Sequence, residues 1–154
     1  MDAAFLEKLH AVGVKYGWAE LCSNAVAPYH FLPAGRYFVG DPCFFLSDED
    51  WSDFCAQTVS DWHDGIVEVR GFKMAAFRTA YGDGSFAAHH GVGNYIIDVE
   101  SGIVGAVPEA LCSKGRDRGF VIEKGEAIPC HKEGGVVRIG QAAIDTGVDL
   151  YDED

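Results

Sequence analysis

The sequence predicts a mainly β protein of the α+β class: a small, curled antiparallel sheet forming a barrel or sandwich, with an N-terminal helix and one short helix near 48–57. Three observations predict it. Nineteen glycines separate short runs of β-branched and aromatic residues, which is the pattern of strands joined by tight turns. Alternating strand and helix units, the mark of a doubly wound fold, are absent. The chain has 154 residues with 48% apolar and 12% aromatic content, enough to bury roughly 70% of its unfolded surface in one core without staples. The expected organisation is one globular domain over 1–146, with an N-terminal helix over 2–16 packed on it, and an acidic tail over 147–154.

Each element has a local reason. Asp2 can cap a helix in which Phe5, Leu6, Leu9, Val12 and Tyr16 recur at helical spacing. A connector runs over 21–32, marked by Ser23-Asn24, Pro28 and the following Pro33. Arg36-Tyr37-Phe38-Val39 alternates as a strand and enters a Gly40-Asp41-Pro42 turn. Ser47 is a good N-cap for a helix from Asp48 to about Gln57, with Trp51, Phe54 and Cys55 on one face. Strands follow at Gly65 to Arg70, Phe72 to Ala80, Gly93 to Glu100 and Ile103 to Val107, the last two joined at Ser101-Gly102. Pro108 to Cys112 reads as one helical turn, since Pro suits a first helical position. The last third continues with Gly119 to Lys124, Glu126 to Cys130, Val136 to Ile139 and Ala142 to Thr146, with a Glu133-Gly134-Gly135 turn between the middle pair. There is no solenoid-period repeat.

The net charge is −12, and it is concentrated. Between Tyr37 and Val69 lie eight acids and no Lys or Arg, and after Arg138 lie five more, so the rest of the chain is close to neutral. Such surfaces attract basic partners and repel nucleic acid, and the bases form no stripe able to neutralise phosphates. No run of about 18 apolar residues could span a bilayer, and the start lacks the basic region of a signal peptide. Five cysteines, irregularly spaced and without a C-x-x-C, argue against a secreted disulfide framework. A cytoplasmic location is expected, with no membrane partner.

Chemistry-bearing patterns are sparse. Asp48, Glu49 and Asp50 in a first helical turn complement the helix dipole, a sufficient structural account. Functionally they join Asp53, Asp61 and Asp64 in a negative patch, with Trp51 and Trp62 as aromatic anchors for a partner. Tyr81-Gly82-Asp83-Gly84-Ser85-Phe86 is a turn or bulge by structure; by function, Asp83 could form a carboxylate pocket with Asp41 and Asp98. His89-His90 and Cys130-His131 lack the spacing that puts two ligands on one side of a metal, so no metal and no cofactor is expected. No nucleophile elbow or phosphate loop is present.

Gly35-x-Tyr37-x-x-Gly40-Asp41-Pro42, then Trp51 in an acidic helix, Thr79-Ala80-Tyr81-Gly82-Asp83-Gly84-x-Phe86, and Tyr95-x-x-Asp98-x-x-x-Gly102-Ile103-x-Gly105-x-Val107-Pro108-x-x-Leu111 together resemble a set of small uncharacterised proteins encoded by tailed phages and bacteria. The resemblance covers Pro33 to Thr146 and is most specific from Tyr81 to Leu111. It implies an accessory protein working in a bacterial host cytoplasm, of a kind that binds and blocks a host or defence factor. The leading expectation is therefore a non-enzymatic inhibitor that binds a basic surface of a host protein or nucleoprotein complex. Two alternatives stand beside it: a small hydrolase or nucleotide-binding enzyme centred on Asp41, Asp83 and Asp98, and a virion or assembly component that self-associates symmetrically.

Overall fold

A computed structural model describes residues 29–58 and 62–151. The N-terminal helix expected over 2–16, Asp61, and Asp152 to Asp154 lie outside the described residues. Eleven strands form two antiparallel sheets. The six-stranded sheet has the order β1 (His30–Leu32), β9 (Ile128–Glu133), β10 (Val136–Ile139), β11 (Ala142–Asp145), β5 (Gly84–His90) and β6 (Gly93–Val99). The five-stranded sheet has the order β3 (Gly65–Val69), β4 (Phe72–Arg78), β7 (Ile103–Pro108), β2 (Gly35–Gly40) and β8 (Phe120–Lys124). Two helices, α1 (Pro42–Phe45) and α2 (Asp48–Thr58), and a 3-10 turn at Glu109–Leu111 complete the elements of the described residues. The expected mainly β class holds, and the architecture is a sandwich.

Strand alternation builds two cores from one sheet. Tyr37 and Val39 of β2, Ala75 and Phe77 of β4, and Val104 and Ala106 of β7 face the six-stranded sheet, meeting Phe86, Ile97, Ile128, Val137 and Ile144. Their neighbours Phe38, Met74, Ala76 and Val107 face the other way, under Phe45, Leu46, Phe54 and Leu111. The five-stranded sheet is thus the middle layer, buried on both faces, which explains why β4 and β7 read as nearly continuous apolar runs. Close packing there requires glycine: a Cβ on Gly105 would lie 1.9 Å from the Ala75 carbonyl oxygen.

The expected strands at Gly65, Phe72, Gly93, Ile103, Val136 and Ala142 begin where the sequence placed them. Four elements differ. The strand expected from Glu126 to Cys130 is shifted, β9 running over Ile128–Glu133. β1 occupies the end of the supposed connector, pairing its three residues with β9. The Gly40-Asp41-Pro42 turn opens the short helix α1, with Asp41 as N-cap and Pro42 in the first turn. The glycine-rich centre leads into a full strand, β5, that pairs with β6 over seven residues.

Candidate functional site

Helix α2 begins as the sequence suggests: Ser47 Oγ accepts a hydrogen bond from the Asp50 N–H at 3.1 Å, and three acids occupy the first turn. Its acids then divide by direction. Asp48, Glu49 and Asp53 are exposed, whereas Asp50 is buried. Asp50 receives two bonds from Arg70, Nε to Oδ1 at 2.8 Å and Nη2 to Oδ2 at 3.1 Å. Those bonds outweigh burial and hold its carboxyl below the usual range. Asp64 is partly buried, accepting from the Trp62 indole at 2.6 Å and the Arg78 N–H at 2.9 Å and pairing with Lys132. Burial pushes its pKa up, but these partners win and hold it low. The expected continuous patch of Asp48, Glu49, Asp50, Asp53 and Asp64 is therefore divided, because Arg70 of the β3–β4 turn and Lys132 of β9 neutralise two of its members.

The expected aromatic anchors also point inward. Trp51 stacks on Phe54 with centroids 5.3 Å apart, and Trp62 meets the same ring edge-on at 6.1 Å. Both are half-buried against the second core. What remains outward is a smaller acidic face. Gln57 Nε2 donates to Asp53 Oδ2 at 3.3 Å and to the Glu68 backbone carbonyl at 2.8 Å, tying α2 to the β3 edge, while the Glu68 side chain alternates with Val67 and Val69 of the α2-facing core and projects from the opposite face of the sheet. Glu49, Asp53 and Glu68 carry no salt bridge among the described residues, and Asp48 meets only Lys114, at 3.4 Å, with its side chain fully exposed.

The alternative pocket has a different character. Asp41 is completely buried and both its oxygens are saturated. Oδ1 accepts from the Cys43 N–H at 2.9 Å and the Ser101 hydroxyl at 2.6 Å; Oδ2 accepts from the Glu100 and Ser101 N–H groups at 2.8 and 2.9 Å. It caps α1 and clamps the β6–β7 turn, which leaves no lone pair for a substrate or metal. Asp98 is exposed and accepts from Ser85 Oγ at 2.6 Å; Asp83 is exposed beside Gly102. Among the described residues no group of three or more His, Cys, Asp or Glu is placed to hold a metal ion. The Tyr81 motif serves as a corner between the sheets: Thr146 Oγ1 accepts from the Ala80 N–H at 3.0 Å, and Thr79 Oγ1 accepts from the Gly82 N–H at 2.8 Å.

One feature escaped the sequence reading. The loop between the 3-10 turn and β8 carries Lys114, Arg116 and Arg118 within five positions, the densest basic stretch of the chain. Arg118 lies 3.8 Å over the Phe44 ring, and Arg116 and Arg36 both sit over Phe38, at 4.9 and 5.7 Å. A shallow cleft of about 320 Å³ lies between this loop and α1, lined by Cys43, Phe44, Lys114, Gly115, Asp117 and Arg118. Its thiol is not a nucleophile, since burial and then Asp41 push the Cys43 pKa up to about 12. The charge count by segment, read for bases as well as acids, was the available signal.

No helix among the described residues is long and apolar enough to cross a membrane. No family model matches the chain, and no curated protein or solved structure matches it.

Proposed function

We propose that this chain is a non-enzymatic binding protein that captures a basic surface through the outward carboxylates of α2: Asp48, Glu49 and Asp53. The observation that carries this reading is that Asp48, Glu49 and Asp53 lie exposed on α2, with Glu49 one helical turn from Asp53 and neither of those two in a salt bridge among the described residues. Carboxylates left unpaired while Asp50 and Asp64 are neutralised from within keep a local negative potential for a lysine- or arginine-rich partner. Trp51 and Trp62 support the face from beneath rather than entering the partner. Its place as a phage-type accessory protein of the bacterial cytoplasm, blocking a host or defence factor, rests on the resemblance from Pro33 to Thr146.

The test is affinity for the partner captured from expressing cells, measured against ionic strength. Replacing Asp48, Glu49 and Asp53 together by Lys should weaken binding by about tenfold or more at low salt, and the wild-type affinity should fall as salt rises. Unchanged affinity in the triple variant, with its fold retained, removes the acidic face from the account.

A further inference from the structure

Four strands end a sheet, and three of them are closed off. β1 has only three residues. β3 lies against α2, whose Gln57 takes the outward Glu68 carbonyl. β8 ends in the charged pair Glu123-Lys124. β6 is different: it has seven residues, Gly-Asn-Tyr-Ile-Ile-Asp-Val, without Lys, Arg or Pro, and among the described residues it pairs only with β5. A long, unprotected edge is a template for another strand.

The register shows which groups it offers. His90 and Gly93 close a two-residue turn with Gly91 at the first central position, φ 62°, and in such a turn the closing pair exchanges both backbone hydrogen bonds. Bonding alternates from there. Tyr95, Ile97 and Val99 direct their N–H and C=O groups to β5, whereas Asn94, Ile96 and Asp98 direct theirs away from it. The same three side chains are exposed on the outer face of the sheet, Ile96 by 53%.

We infer that β6 binds a second copy of this chain, the two β6 strands pairing antiparallel about a two-fold axis at Ile96 and joining two six-stranded sheets into one. The strand is self-complementary in that register. Ile96 meets its own counterpart, and Asn94 faces Asp98 of the second copy. Each has one valence spent and one unspent. His89 Nδ1 lies 2.5 Å from Asn94 Oδ1, leaving the amide Nδ2 as a donor; Ser85 Oγ donates to Asp98 Oδ1 at 2.6 Å, leaving Oδ2 as an acceptor. Sliding the axis to Asp98 would instead set two carboxylates opposite each other, so the register at Ile96 is selected by charge.

A single-strand contact is smaller than a standard interface, so the dimer is weak, with a Kd of roughly 1 to 100 μM. Each copy carries a net charge of −12, so added salt strengthens the dimer by screening repulsion. Capture of a basic partner by α2 responds to salt in the opposite sense, and the two readings can therefore fail separately.

Sedimentation equilibrium of the full chain across a concentration series tests the inference. The wild-type mass should rise from 16.7 kDa towards twice that value, more readily at higher salt. Ile96→Lys places two ammonium groups together at the axis and should hold the mass at 16.7 kDa throughout. Ile96→Pro removes an outward N–H while sparing the ladder to β5, and should do the same; circular dichroism reports whether each variant folds, and Ile96→Lys decides if the proline variant does not. A wild-type chain that stays monomeric across the series overturns the inference. So does a dimer that persists in folded Ile96→Lys.

Discussion

Asp41 joins parts of the chain that its sequence neighbourhood does not connect. Two of its four donors come from the next residues but one and from a hydroxyl, and two come from backbone N–H groups 59 and 60 positions away. Removing the carboxylate strands the Glu100 and Ser101 N–H groups inside the protein, and a buried donor left without a partner costs about 1 to 3 kcal/mol. Asp41→Ala should therefore lower the unfolding free energy by about 3 to 5 kcal/mol, measured by urea denaturation. Asp41→Asn should cost less than Asp41→Ala but remain destabilising, because its amide presents hydrogens to donors. A wild-type-like urea midpoint in Asp41→Ala would contradict the clamp. The Gly40-Asp41-Pro42 motif was legible as a special position, but its role was not. A candidate catalytic acid and a structural clamp are the same letter until the distant donors are known. The same applies to Asp50 and Asp64, whose neutralising partners, Arg70 in the β3–β4 turn and Lys132 on β9, lie in other elements.

Helix α2 is held to the middle sheet by two kinds of contact, the aromatic group of Trp51, Phe54 and Trp62 and the ion pair of the buried Asp50 with the exposed Arg70 at the β3–β4 turn. The pair makes a pH prediction. Hydrogen bonding to Arg70 holds the Asp50 pKa below the ordinary carboxylate range, so the folded state binds this proton less readily than the unfolded state. The stabilisation is present above the unfolded value and is lost as pH falls through the folded one. Wild type should therefore exceed Arg70→Met in stability near neutral pH, with the gap closing below about pH 3.8; urea midpoints over a pH series measure it. A gap independent of pH would show that packing of the arginine stem, not the ion pair, holds the turn. Elements such as β3 and β10 were legible because β-branched residues cluster between turn glycines, and β4 because an apolar run follows Gly71. β5 was not: Ser-Phe-Ala-Ala-His-His buries only Phe86 and Ala88, so its apolar signal is faint and its strand form depends on pairing with β6 and β11. β1 is too short to carry any periodicity at all.

At the scale of the molecule, closure was the part no local pattern could supply. Whether short strands curl into a barrel or stack as two sheets is fixed by long-range pairings such as β2 with β8 and β1 with β9, which join segments distant in sequence. Segregation of charge along the chain was legible, yet the fold intermixes it: Arg70, Lys114 and Lys132 all reach acids of the 37–69 stretch. Two opposing electrostatic effects follow. Exposed ion pairs such as Arg36 with Glu109 contribute about 0 to 1 kcal/mol each and are weakened by salt. The twelve surplus negative charges repel one another and are relieved by salt. At about 10 mM salt the screening length is roughly 30 Å, longer than a radius of gyration of about 15 Å, so all the acids act on each other. At about 100 mM it is roughly 10 Å and only neighbours interact. The long-range repulsion therefore falls more than the few short-range attractions, and the melting temperature should rise by about 2 to 4 °C over that interval for about 1 kcal/mol of relief. Thermal scans at neutral pH and a protein concentration low enough to keep the chain monomeric would measure it, and a melting temperature that falls with salt would assign the dominant role to the ion pairs instead.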